Sequence, residues 1–377
     1  MSVSSFKADF LIIGAGFAGA TFARCVADAG YSVHIIDKKD HIGGNCYSYS
    51  DDETGIEIHK YGPHIFHTNS KEIWNFVNRF SLFNNYTHRV KANFNGCVYS
   101  LPINLHTINQ FFNKSFSPKE ADKFIKNLCL KKENVENFED YILSSIGEKL
   151  YIAFFRDYTI KQWGKNPKEI PISTAKRLPI RFNYNDNYFN DIFQGIPTNG
   201  YTNIFKKMLN HSSIKIILNS SFDEYKNNWR NHYKKLVFSG SLDEYYNYEF
   251  GLLPYRTIRF REIRDKDIIG SAVLNFTDMK YPYTRIHEHK WFTPLKKYFN
   301  SIAYEEYSDS TDSRYDPYYP IREVKSDRLF TFYNELAKKE KDVIFVGRLA
   351  EFRYYDMHQV IGSSIKKFKK MQSLKGI

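Results

Sequence analysis

An α/β fold is predicted, in which a parallel sheet is combined with an inserted helical region and an antiparallel sheet. Three features carry this prediction: a strand, glycine turn, helix and strand in succession near the start of the chain, an Asn-Gly dipeptide between two strand-like runs, and a long stretch of helical periodicity in its middle.

Ala8–Ile13 is a short apolar run ending in Gly14-Ala15-Gly16-Phe17-Ala18-Gly19, and Ala20–Ala29 follows a small-residue helical pattern closed by Gly30. Tyr31–Asp37 supplies a second strand ending in an acid, followed by the loop His41-Ile42-Gly43-Gly44-Asn45. Together these make one βαβ unit. Arg89–Phe94 and Cys97–Leu101 flank Asn95-Gly96, a dipeptide that tolerates the positive φ angles of a tight hairpin. Ser117-Pro118-Lys119-Glu120 reads as a helix start, with a Ser cap, Pro at the first helical position and Glu at the third. Phe138, Tyr141, Ile142, Ile146, Leu150 and Phe154 keep helical spacing, so residues 105–180 are expected to be largely helical. Ile214–Leu218, Leu236–Phe238 and Asp342–Gly347 read as buried strands returning to the first sheet, and a terminal helix begins near Met357. Residues 220–235 and 305–316 are expected as loops. The parts interleave: residues 1–80, 200–245 and 330–377 form the parallel-sheet domain, 105–195 a mostly helical substrate domain with a mobile loop, and 81–104 with 246–329 an antiparallel sheet domain.

Composition bounds the function. With 42% hydrophobic and 17% aromatic residues, the 377-residue chain is globular, and at about 100–200 residues per domain it holds two or three parts. A formal charge of +12 suits a polyanionic partner such as a nucleotide diphosphate, but the charge is spread along the chain and surface lysines account for it equally well, so no nucleic-acid partner is expected. Cys25, Cys46, Cys97 and Cys129 are scattered, without a C-x-x-C pair or histidines at zinc-finger spacing, which points to a reducing compartment and no structural metal. The apolar stretch Phe10–Ala23 is broken by glycines and followed by Arg24, and no run of about 18 apolar residues exists. A cytoplasmic protein without membrane insertion is expected.

The first βαβ unit carries the most specific chemistry. A G-x-G-x-x-G string alone is a weak signal, but here it lies between a strand and a helix, where each glycine has a task. Gly14 permits the tight turn, Gly16 lets the backbone approach a pyrophosphate, and Gly19 allows close packing of helix and strand. The helix N-terminus beginning at Phe17 offers N–H groups and a positive dipole to phosphates, and Asp37 is placed to accept hydrogen bonds from a ribose. A dinucleotide in a Rossmann-like domain is the reading. The Gly43-Gly44-Asn45 loop, next to Lys38, resembles the loop that FAD proteins of the glutathione-reductase type lay beside the cofactor. No second G-x-G-x-x-G provides a nicotinamide domain, so FAD is the expected cofactor.

Five further strings matter together: Lys60-Tyr61-Gly62-Pro63-His64-Ile65-Phe66-His67-Thr68, Tyr158-Thr159-Ile160-Lys161-Gln162-Trp163-Gly164, Lys176-Arg177-Leu178-Pro179, Tyr281-Pro282-Tyr283-Thr284-Arg285, and the segment Gly347–Asp356. In this order they resemble the signature segments of bacterial, FAD-dependent UDP-galactopyranose mutases, and the resemblance covers nearly the whole chain. It implies a redox-neutral interconversion of UDP-galactopyranose and UDP-galactofuranose, with reduced FAD acting as nucleophile at the anomeric carbon, for galactofuranose-containing surface polysaccharide. It also implies an external reductant such as NAD(P)H, and a homodimer is expected.

Residue roles follow from the same match. Arg177 and Arg285 correspond to the family's phosphate-binding arginines, which clamp a leaving diphosphate by charge-assisted hydrogen bonds. His64 and His67 correspond to the histidines near flavin and sugar, and with the two arginines they form the expected catalytic set. Arg348, Tyr354, Asp356 and Met357 are expected at the flavin, and Tyr188, Tyr319 and Tyr354 at the diphosphate. Tyr158 with Phe154 or Phe155 is expected to offer uracil a stacking surface, Thr159 is expected among the substrate-binding residues, and Trp163 matches a tryptophan on the mobile loop. His64 and His67 also suggest a metal, yet no third ligand is apparent, so none is expected. Two departures from the family pattern are Ser241 in place of a proline and His88 in place of an asparagine near the flavin. An FAD oxidoreductase would share the N-terminal unit but show net electron transfer.

Overall fold

A computed structural model describes residues 7–132, 134–175 and 179–374. Five strands form a wholly parallel sheet in the order Val343–Phe345, Tyr233–Phe238, Ala8–Ile13, Val33–Ile36, Ile214–Ile217. Because successive side chains alternate across a strand, Phe10, Ile12, Ile35 and Val237 enter the core on one face, while Leu11, Ile36, Leu236 and Phe238 fill the other. Both faces are thus covered, as a parallel sheet requires. Helix Phe17–Asp28 packs against the terminal helix Met357–Leu374, with Phe22 and Phe368 edge to face at 5.9 Å. The α/β fold with strands returning from late in the chain agrees with the sequence reading.

Ile214–Ile217 differs from expectation. It is the edge of the sheet and its Lys215 and Ile216 side chains are exposed, so its apolar run covers an edge instead of filling a core.

A second sheet runs Tyr319–Pro320, Pro254–Asp265, Ser301–Asp312, Arg285–Glu288, Val273–Phe276, Val90–Phe94, Cys97–Leu101. It is antiparallel except where Val273–Phe276 pairs in parallel with Val90–Phe94. The expected hairpin forms, with φ of 51° at Asn95 and 80° at Gly96. The loop expected over 305–316 is instead mostly strand: Ser301–Asp312 pairs with Pro254–Asp265 along its full length. Its polar residues mimic a loop in sequence, but Arg261 bonds Glu305 and Arg259 bonds Asp309 across the ladder, so opposite charges pair on one face. Residues 220–235 hold two short helical turns, anchored by the fully buried Trp229, before the strand at Tyr233.

The helical insertion comprises Leu105–Phe112, Pro118–Leu128, Phe138–Ile146, Glu148–Tyr151, Asp157–Trp163 and Ile172–Ala175, around its own core of Ile108, Ile125, Phe138, Ile142 and Leu150. Ser117 and Glu120 form the predicted capping box, the Glu120 carboxylate accepting from the Ser117 N–H at 2.8 Å. A single π-helical turn, Ile152–Arg156, interrupts the helical run just before Tyr158. Among the described residues no helix is long and apolar enough to cross a membrane.

Candidate active site

The turn after Ala8–Ile13 is built to leave space. Gly14 has φ of 94°, and a Cβ there would lie 2.2 Å from Ser239 Oγ. A Cβ on Gly19 would lie 1.9 Å from the Gly14 carbonyl oxygen, so only hydrogen fits. Gly16 is the N-cap of helix Phe17–Asp28 and supplies no capping side chain, which leaves first-turn N–H groups open to a ligand. Across the cavity Gly44 approaches Gly16 backbone to backbone. Asp37 closes the strand end, its carboxylate accepting from the N–H of Ala15 at 2.7 Å and of Lys39 at 2.9 Å. Gly14, Gly16, Phe17, Asp37, Lys38, Gly44, Asn45, Arg348 and Met357 all line this one cavity. Uncapped helix N–H groups, a glycine cradle and an acid at the strand end fit the pyrophosphate and ribose of a dinucleotide cofactor.

A second cleft adjoins the first and shares Asn45, His64, Tyr318, Arg348 and Met357 with it. Its walls bring together His67, Tyr158, Tyr188, Arg285, Tyr319, Tyr354 and Asp356. Arg285 opens its strand directly opposite Glu306, and its Nε donates to the Glu306 carboxylate at 2.8 Å. Burial pulls the guanidinium down, but the Glu306 carboxylate together with the Tyr158 and Tyr319 phenols outweighs it and holds Arg285 well above its ordinary value. Burial raises the Tyr158 and Tyr319 phenols, which therefore stay neutral O–H donors. The Arg348 guanidinium lies 5.1 Å over the Tyr319 ring and 5.4 Å over the Tyr354 ring, and these two tyrosines stack 5.1 Å apart. Trp163 closes on the same pair at 6.5 and 6.1 Å.

The two histidines of the glycine-proline string differ. His64 Nδ1 donates to the Gly62 carbonyl at 2.7 Å, and burial pushes its pKa down to about 4, so the imidazole is neutral with its Nε2 lone pair unspent. His67 instead pairs Nδ1 with the Asp191 carboxylate and stacks on Phe189 at 3.7 Å. His88 lines the cleft, contacts Tyr86 Oη through Nδ1 at 3.1 Å, and is pushed by burial to about 3.

Support comes from side chains that never reach the cleft. The Lys161 ammonium donates to four backbone carbonyls, of Phe276 at 2.7 Å, Asp278 at 2.8 Å, and Tyr281 and Tyr283 at 3.0 Å. Burial lowers its pKa to about 8, against the opposing pull of the Asp278 and Asp157 carboxylates. Lys161 thus ties the helix of Tyr158 and Trp163 to the segment that leads into Arg285. Arg256, itself buried, donates from Nε to the Gln162 carbonyl at 3.0 Å and from its terminal nitrogen to that of Lys161 at 3.2 Å, fixing the end of the same helix.

Several expected residues lie elsewhere. Phe154 is in the helical core against Phe94, Tyr99 and Phe111, and not on the cleft wall. A π turn lies just ahead of Tyr158, and of Phe154, Phe155, Tyr158 and Thr159 only Tyr158 lines the cleft. Phe155 packs against the helical core and Thr159 is buried behind Tyr158. Tyr354 and Asp356 line the second cleft and not the dinucleotide cavity. Arg177 lies outside the described residues. His64, paired with His67 in the two-histidine reading, is not in the group that forms among the described residues: one ligand atom each from His67, Asp356 and His358 lies within 4.8 Å of the others. His358, Asp191 and Glu306 escaped the sequence reading because only the tertiary fold joins them to the site. Lys161 stood inside a quoted string, but a lysine on a helix reads as solvated until its carbonyl partners are seen.

Comparison with known families matches residues 153–354 to UDP-galactopyranose mutase and residues 12–80 to an NAD(P)-binding Rossmann-like domain. The chain is 47% identical over 362 residues to dTDP-fucopyranose mutase of Escherichia coli, covering 94% of this chain and 96% of that one. It is 46% identical over 360 residues to a probable UDP-galactopyranose mutase of Klebsiella pneumoniae, covering 95% and 93%. Among solved structures, reduced UDP-galactopyranose mutase superposes with a TM-score of 0.73 at 15% identity over 97% of this chain and 96% of that one, a likeness of fold. A flavin is the cofactor implied, and the glycine-built cavity fits its dinucleotide part. With a Rossmann-like start, a mutase match through the helical insertion and second sheet, and two relatives aligned almost end to end, the chain belongs to the UDP-galactopyranose mutase family of isomerases.

Proposed function

We propose that the protein interconverts UDP-galactopyranose and UDP-galactofuranose with reduced FAD, loaded by an external donor such as NAD(P)H. The observation that carries this reading is the convergence of Arg285, Tyr158, Tyr188, Tyr319 and Tyr354 on a cleft continuous with the dinucleotide cavity through His64 and Arg348. When bound and reduced, the flavin supplies a nucleophile at the anomeric carbon, and the chain's own residues do the rest.

Arg285, preset by Glu306, receives the diphosphate, and the hydroxyls of Tyr319 and Tyr354 donate to it. Holding the departed nucleotide within reach keeps its return intramolecular, which is where orientation lowers the barrier. Tyr158 stacks the base, and Trp163, set against Tyr319 and Tyr354, excludes water. His64, neutral through the working range, offers an acceptor to a sugar hydroxyl or the flavin edge. Arg177 is proposed as the second phosphate arginine from its family string.

The Escherichia coli relative supports a second reading, dTDP-fucopyranose as substrate, which lacks the sugar 6-hydroxyl and ribose 2′-hydroxyl and adds a base methyl. Product analysis of UDP-galactopyranose and dTDP-fucopyranose, each incubated with the flavin-loaded protein with and without dithionite, tests both. Furanose product from the first, only under reduction and without net electron consumption, is expected. Turnover of the thymidine nucleotide alone would replace the proposed substrate, and turnover of neither would remove the reading.

A further inference from the structure

Four side chains from three parts of the chain meet at one end of the sugar cleft, and the roles assigned above leave two of them unused. His67 presses Nδ1 against the Asp191 carboxylate, which places its ring proton there and leaves Nε2 as a lone pair. His358 donates a ring N–H to the His67 carbonyl, while its Nδ1 is buried without a hydrogen-bond partner. Asp356 joins them: one ligand atom from each of His67, Asp356 and His358 falls within 4.8 Å of the others. The His67 and His358 rings are 5.0 Å apart and nearly perpendicular, at 69°.

Metal-binding histidines hold their second ring N–H on a carboxylate or a backbone carbonyl, which fixes the tautomer and aims the free lone pair. Both arrangements occur here, one on each imidazole. We propose that His67, Asp356 and His358 bind a divalent transition-metal ion of the zinc type, and that its occupancy inhibits the isomerase. Two imidazoles and one carboxylate select such an ion over magnesium or calcium, which prefer oxygen donors. Metal bonds of about 2.0–2.2 Å draw the three ligands closer than they stand, a movement that side-chain rotation supplies. Asp191 and Asp356 compensate the added charge. Inhibition follows from position, since His67 and Asp356 line the cleft that the sugar nucleotide enters. Three protein ligands also leave a coordination position open to a phosphate or hydroxyl oxygen in an unproductive pose.

The test uses tag-free, flavin-loaded protein whose cysteines have been alkylated, since Cys97 is an exposed thiol. Zn2+ is titrated calorimetrically without nucleotide sugar, the bound ion is probed by X-ray absorption at the zinc edge, and isomerase turnover is followed with and without EDTA. One equivalent, a nitrogen and oxygen shell without sulfur, and inhibition reversed by EDTA are expected. His358→Ala should retain metal-free turnover, weaken Zn2+ binding at least tenfold and escape inhibition. If that variant does not load flavin, His358→Gln makes the same comparison. Zn2+ affinity unchanged by loss of the imidazole, sulfur in the shell, or no stoichiometric uptake would overturn the site, and tight binding without inhibition would overturn its effect. The binding arm stands whichever nucleotide sugar is turned over.

Discussion

The two cavities that meet at His64 and Arg348 are made in opposite ways. The dinucleotide cavity is mainly a backbone object: Gly14, Gly16 and Gly44 shape it by lacking side chains, the open N–H groups of one helix provide the polarity, and most of these parts lie close together in sequence. The sugar cleft is a side-chain object assembled from segments between Asn45 and Met357, and its polarity is that of the Arg285–Glu306 ion pair, stacked tyrosines and histidines. The first therefore fails by intrusion of atoms, the second by their removal. This contrast also decides how each can be perturbed.

The largest effect is expected where intrusion is worst. Gly19→Val places a side chain against the Gly14 carbonyl, and flavin content of the purified protein should fall to near zero; normal yellow protein would show that the turn relaxes. Arg285→Ala should instead keep the flavin and lower kcat/KM by roughly a hundredfold to a thousandfold, the scale of one lost donor to developing charge, about 3–4 kcal/mol. Near-normal turnover would take Arg285 out of the site. Lys161→Met sharpens the comparison, because it removes no cleft atom but leaves four carbonyls without their donor, at about 1–3 kcal/mol for a buried polar group left unpaired. Flavin content should hold while KM rises more than kcat falls; unchanged kinetics would deny it a positioning role.

Acid should find the cleft side first. His64, His88 and His289 are held down to about 4, 3 and 3 by burial, and His59 and His287 well below their ordinary value. Below about 6.5 the unfolded chain takes up protons that the native state refuses, so stability falls with pH from 6.5 towards 4, at up to about 1.4 kcal/mol per pH unit for each group. Denaturant midpoints measured at pH 7.5, 6.5 and 5.5 should decline steeply only across the last interval, and equal midpoints would contradict the burial. The smallest effect belongs to the rim, where Lys165 and Glu323 pair at 3.1 Å near Trp163. Lys165→Ala should change kcat/KM less than about threefold, since pairs that solvent still reaches contribute little, and a larger change would make that contact a latch.

The same contrast governs what could be read in advance. Gly14, Gly16, Gly19 and Asp37 were legible because their spacing between a strand and a helix is itself the structure. Arg285, Tyr319 and Tyr354 were reached through strings resembling a family, since no local spacing puts them in one cleft. Glu306 and His358 were not reached, because their meaning resides in partners supplied by the sheet register and by the terminal helix. The polar residues from 305 onward looked like a loop for the same reason, their charge partners being forty or more residues away in cases such as Arg261 and Glu305.

The π turn at Ile152–Arg156 bears on how this chain tolerates a change of length. Such a turn closes its hydrogen bonds over one residue more than an α-helical turn, so the extra residue is absorbed locally and the helix beyond it keeps its heading. Loss of one residue within 152–156 would straighten the segment and leave Tyr158 on the cleft wall, whereas the same loss one turn later would rotate Trp163 by about 100° away from Tyr319 and Tyr354. Single-residue gaps among relatives should therefore collect in that turn and avoid the helix that follows it.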